Sequence, residues 1–147
     1  LTERLHRLLG LDTKHRLVIV GMGNLGAALA GYVGFNDDSF EVVAGIDVNP
    51  SKICRTLGGL SVRHVRELGA VVEQSGIEIG VLTVPAAAAV ESYEVLVSAG
   101  IRSVLNFAPV HLTEREGVEL KNVDLRIHLE EASFRLQSLP TTLEEAD

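Results

Sequence analysis

Residues 16–35 read RLVIVGMGNLGAALAGYVGF, and this stretch decides the fold. Arg16–Val20, dominated by Leu, Val and Ile, has the composition of a strand buried on both faces. Gly21, Gly23 and Gly26 follow in the spacing GxGxxG, and the small residues from Asn24 to Val33 have helical character. Strand, glycine turn and helix in that order open a dinucleotide-binding βαβ unit. The three glycines serve different ends. Gly21 permits the tight turn, Gly23 lets a pyrophosphate approach the backbone, and Gly26 lets helix and strand pack closely. Met22, Asn24 and Leu25 fill the positions between them, beside the free N–H groups and partial positive charge of the helix N-terminus. A second strand, FEVVAGID (Phe40–Asp47), ends in an acid about 20 residues further on, where a carboxylate accepts hydrogen bonds from a ribose diol. An acid there repels the 2'-phosphate of NADP, so NAD(H) is the expected cofactor. Val48 adjoins that acid, and Lys52 and Arg55 nearby leave NADP open.

Outward from this unit, short apolar runs alternate with helical patterns. A weak helix is expected over Ser51–Leu57, a brief strand at Leu60–Val62, and a helix over Val65–Gln74. Ile77–Val84 reads as the fourth strand, Pro85–Ala99 as a long helix with proline at its first position, Ser103–Asn106 as the fifth strand and Val118–Leu125 as the sixth. The expected fold class is α/β, a Rossmann-type doubly wound, mostly parallel sheet. Leu1–Leu11 has leucines at helical spacing, and Ile127–Leu139 mixes Ile127, Phe134 and Leu136 with charged residues before Pro140. For both flanks two readings stand, packing on their own domain or on a partner. The polar end Thr141–Asp147 is expected to fray.

The 147 residues fit one domain able to bury roughly two thirds of its unfolded surface. With 46% hydrophobic and 22% charged residues the balance is that of a soluble globular protein. A formal charge of −7 argues against nucleic-acid binding by this segment itself, since phosphate contacts need clustered Lys and Arg. No apolar run reaches the roughly 20 residues of a membrane span and no export pattern opens the chain, so no membrane partner and a cytoplasmic location are expected. The single Cys54 forms no internal disulfide and is read as a buried helix residue. Because the chain starts at Leu1 rather than Met, it is read as a fragment or a processed product.

A dehydrogenase on this fold needs a proton-transfer residue beside the nicotinamide. Of the histidines, only His111, in the loop FAPVHL, is placed to face one, and a loop histidine is more often exposed. No catalytic residue and no metal motif is assigned. The cofactor domain of an NAD-dependent dehydrogenase, with its substrate domain elsewhere, stays open as an alternative, as does a CoA- or nucleotide-binding module.

The segments GMGNLGAALAGYVGF, AGIDVNPSKI, VLTVPAAAA, AGIRSVLNFAPVHL and VELKNVDLRIHLE together resemble the NAD(H)-binding domain of the Rex family of redox-sensing transcriptional repressors, from about Leu5 to Leu139. That resemblance implies a homodimer that leaves operator DNA when NADH binds, with the DNA held by an upstream winged-helix domain outside these residues. It implies residues 1–15 as the linker helix from that domain, 16–126 as the Rossmann domain, and 127–147 as a C-terminal helix exchanged between subunits plus its frayed end. It places Gly21, Gly23 and Gly26 on the pyrophosphate, Asp47 on the adenine ribose, Thr83, Val84 and Pro85 along the cofactor, and Asn106, Phe107, Ala108 and Pro109 on the nicotinamide side. Tyr32 and Asp124 match the family's pair near the nicotinamide; a cap or turn role is the other reading of Asp124. Val90, Leu125 and Cys54 depart from the family pattern, where a glutamine, sometimes an aromatic, and a glycine stand.

Sensing has a simple physical basis on this reading. NAD⁺ carries a positive nicotinamide ring and NADH a neutral one, so an apolar pocket of Phe107, Ala108 and Pro109 imposes a desolvation cost on the oxidised form.

Overall fold

In the computed structural model, which describes residues 14–49, 51–53, 56–57 and 59–140, the apolar run opening the chain's first βαβ unit forms β1 (His15–Val20). The remaining strands are β2 (Phe40–Asp47), β3 (Thr56–Leu57), β4 (Leu60–His64), β5 (Ile79–Leu82), β6 (Ser103–Asn106) and β7 (Glu119–Asn122). The α-helices are α1 (Asn24–Ala30), α2 (Leu68–Ser75), α3 (Ala86–Ser98) and α4 (Leu125–Ser138). The seven strands form one sheet in the order β3-β4-β2-β1-β5-β6-β7, parallel throughout except for the β3–β4 pair. Leaving out β3, that is the strand order of a doubly wound dinucleotide-binding sheet.

Alternation along β1 feeds a core on each face of the sheet. Val18 and Val20 pack with Leu68, Val72, Tyr93 and Leu96 beneath α2 and α3. Leu17 and Ile19 point the other way, into a cluster with Met22, Ala30, Val42 and Val81 under α1. The connection from β6 to β7 contains no helix, so on this second face Ile79, Leu105 and Phe107 are only partly buried.

Several local outcomes differ from the sequence reading: the fourth and sixth expected strands are shorter, and Leu125, expected at the end of a strand, opens α4. Thr56–Leu57, expected within a helix, is instead a strand: Leu57 pairs with Leu60 across Gly58-Gly59, and Gly59 has φ 84°. Gly59 supplies the left-handed backbone a tight hairpin needs, and that overrides a weak helical pattern. Helix α1 stops at Ala30 rather than Val33, because Asn36 Nδ2 donates to the carbonyls of Ala30 (2.9 Å) and Tyr32 (3.0 Å). The helix expected from Val65 begins as a 3-10 turn, Val65–Glu67, closed by a capping box with His64. There Arg63 and the His64 backbone N–H hold the Glu67 carboxyl below its ordinary range. Pro85 serves as N-cap of α3 rather than its first residue. Leu1–Leu11, Cys54, Arg55 and Thr141–Asp147 lie outside the described residues.

Candidate functional site

Strand order reverses between β1 and β5, and at such a switch point a crevice opens beyond the carboxyl ends of the strands. Val20 ends β1 there, flanked by Ile46 and Leu82. The chain then turns at Gly21, whose φ of 100° is in the left-handed region; a Cβ would stand 2.6 Å from the Thr83 carbonyl oxygen. A Cβ at Gly26 would overlap the Gly21 carbonyl oxygen, so the first turn of α1 rests directly on the strand end. Gly23 is different in kind. Its φ is −77°, open to any residue, and a Cβ would meet only Lys52 Nζ, at 3.9 Å. Folding demands glycine at positions 21 and 26, whereas position 23 borders open space.

The Asp47 carboxylate braces both loops beside this turn. Oδ2 accepts from the Met22 backbone N–H (2.9 Å) and Oδ1 from that of Asn49 (2.9 Å). Two carboxylate oxygens offer about four acceptor sites, so roughly two remain for a ligand. Across the crevice, the Thr83 hydroxyl donates to the Gly21 carbonyl (2.6 Å) and the Thr83 N–H to that of Val20 (2.9 Å). No side chain caps α1.

The crevice has a volume of about 590 Å³. Gly21, Gly23, Asp47, Val48, Asn49 and Lys52 form one wall, with Val65 beside them; Thr83, Val84 and Pro85 lead to the other, made by α3. Clefts of similar size run along the uncovered sheet face, past Leu17, Phe35, Phe40 and Leu105, and at the opposite strand ends beside His15 and Glu78. Neither joins the glycine turn to an acid and a cation.

Met22, Asn24 and Leu25 do not line the crevice: Met22 is buried against Gly45, while Asn24 and Leu25 are exposed on α1. Nor do Asn106, Phe107, Ala108 and Pro109. Asn106 is fully buried and its amide is committed to structure, donating to Val110 O (2.9 Å) and Asn122 Oδ1 (2.9 Å) and accepting from Ala108 N (2.9 Å). Phe107 is half-buried, Ala108 buried and Pro109 exposed, on a loop tied to β5 by Phe107 N to Leu82 O (2.8 Å). Tyr32 is exposed and packs edge-on against Phe35, and Asp124 caps α4 by accepting from Arg126 N (3.0 Å). His111 is exposed, and no group of three or more potential metal ligands occurs among the described residues.

The sequence reading missed the α3 wall: Ala88, Glu91, Ser92 and Val95 all face the crevice. Their spacing of three, four and seven residues marks one helix face, a signal visible once the helix is placed after the fourth strand.

Helix α4 buries none of its residues. Ile127, Leu129, Phe134 and Leu136 are all at least half exposed, with Phe134 at 73%. No helix among the described residues is long and apolar enough to cross a membrane.

Comparison with known proteins agrees with this geometry. Residues 12–110 match the CoA binding domain family. The redox-sensing transcriptional repressor Rex of Streptomyces avermitilis is 44% identical over 137 residues, 93% of this chain and 54% of that protein. The crystal structure of RSP, a Rex-family repressor, in complex with NAD⁺ and operator DNA superimposes with a TM-score of 0.79 at 34% identity, covering 91% of this chain and 62% of that one. The NADH complex of RSP gives the same TM-score and identity, and there the shares are 91% and 65%. The chain thus spans about half the length of the Streptomyces relative. It belongs to the CoA binding domain family, and over 93% of its length it is similar to the Rex repressors.

Proposed function

We propose that this chain is the NAD(H)-sensing domain of a transcriptional repressor that releases operator DNA when NADH binds. The observation that carries the reading is the crevice at the switch point, where the Gly21 turn, the open approach at Gly23 and the braced Asp47 carboxylate lie together. Those residues fit the group: Gly23 leaves room for a pyrophosphate next to the Lys52 ammonium, and Asp47 keeps acceptor sites for a ribose diol. A carboxylate at that place also repels a phosphorylated adenosine ribose, which favours NAD(H) over CoA and NADP. The bound dinucleotide supplies a ring whose charge changes on reduction; the chain supplies the shape and polarity that register it. Thr83, Val84 and Pro85 border the cofactor; Asn106–Pro109, Tyr32 and Asp124, which do not line the crevice of the single chain, are assigned to the nicotinamide end on the family resemblance alone.

Repressors described for the relatives, and the operator complex of RSP, support the sensing role over hydride transfer to a substrate. On this reading the exposed apolar residues of α4 pack against a second subunit, giving a homodimer, and an upstream winged helix outside this chain holds the DNA. The location is the cytoplasm. The test is fluorescence anisotropy of operator DNA with the full-length protein: NADH releases the DNA and NAD⁺ does not. DNA binding indifferent to NADH, or turnover of a metabolite with NAD⁺, contradicts the proposal.

A further inference from the structure

The far end of the crevice, beyond Asp47, is a slot with apolar walls and one polar edge. Val48 and Val65 stand on one side, following β2 and β4, and Ala88 and Val95 on the other, from α3. Val48 is 65% exposed although it directly follows the residue that braces the glycine turn. An apolar side chain left in water at the mouth of a slot gains by covering it with a flat ring. Between Ala88 and Val95 on the same helix face lie Glu91 and Ser92, and among the described residues neither side chain makes a hydrogen bond or ion pair.

Resting on the reading of the crevice as an NAD(H) site, we propose that Glu91 and Ser92 are its base-specificity residues and read the edge of the adenine. Pyrophosphate at the glycine turn and ribose at Asp47 direct the base into this slot. Adenine presents an exocyclic amine beside ring-nitrogen acceptors. The Glu91 carboxylate accepts from the amine, and the Ser92 hydroxyl donates to a ring nitrogen. A 6-oxo purine places a carbonyl oxygen where the amine was, and Glu91 repels it.

Titration calorimetry of the full chain with NADH and with reduced nicotinamide hypoxanthine dinucleotide tests this. The expected result is binding of NADH about 10-fold tighter than its hypoxanthine analogue, as a charged acceptor at an exposed site allows. E91Q, whose amide can also donate to a 6-oxo group, should narrow the ratio below about 3-fold with an unchanged melting temperature, because the side chain is exposed. S92A should weaken both dinucleotides together. Equal affinities in the unaltered chain, or an E91Q ratio the same as before, overturn the assignment while leaving the NAD(H) reading intact. Binding of neither dinucleotide overturns that reading and this one with it.

Discussion

Replacing Gly23 by alanine separates the demands of folding from those of binding. At φ −77° alanine meets no backbone strain, and its methyl would touch only the end of the flexible Lys52 side chain at 3.9 Å. Lost flexibility in the unfolded chain and the weaker capping of alanine nearly offset, so stability should stay within about 1 kcal/mol of the unaltered chain. The same substitution at Gly21 forces a left-handed backbone, at about 1–2 kcal/mol, and drives a methyl to 2.6 Å from a backbone carbonyl that cannot swing aside, adding about 1–3 kcal/mol. Gly21→Ala should therefore lower the melting temperature by about 6 °C or more. Gly23→Ala instead places its methyl where the phosphates approach. Overpacking there of about 1–3 kcal/mol weakens NADH roughly 5- to 150-fold. Thermal melts and NADH titrations of the two variants read both effects. A Gly23→Ala chain that binds NADH within two-fold of the unaltered one, or melts as early as Gly21→Ala, refutes the division of labour among the glycines.

Asp47→Asn leaves one of the two braced backbone N–H groups facing an amide donor, which should cost about 1–3 kcal/mol in a denaturant melt; removing the charge should also raise the affinity for NADPH relative to NADH, by titration. Asn106→Ala strips three hydrogen bonds from a buried site and should cost about 2–4 kcal/mol by chemical denaturation. Phe134→Asp alters a residue 73% exposed in the single chain, so it should convert a dimer to monomer in sedimentation equilibrium with little change in far-ultraviolet circular dichroism.

Most of the sheet was legible because a strand buried on both faces needs a continuous apolar run: Phe40–Asp47 and Ser103–Asn106 carry the same bounds in sequence and structure. The glycine turn was legible because only glycine tolerates φ 100° there. Thr56–Leu57 was misread because seven residues hold too little periodicity to outvote the neighbouring Gly58-Gly59, itself a hairpin signature. The Asn106 network was hidden because Asn122 meets it only through the β6–β7 register, where the two residues pair. Glu91 escaped notice for a related reason: which face of α3 turns to the crevice depends on how the helix leaves Pro85.

Redox sensing requires the two oxidation states to be bound unequally. Moving a two-state dimer from 1:99 to 99:1 takes about 5.5 kcal/mol of differential affinity, shared between two sites. That is about 2.7 kcal/mol, or roughly 100-fold, per site for a complete switch. The most direct measurement is calorimetric titration of this chain with NADH and NAD⁺ in parallel. NADH binding at least about 10-fold tighter than NAD⁺ is the expected result; equal affinity for the two, or saturation by neither, contradicts it.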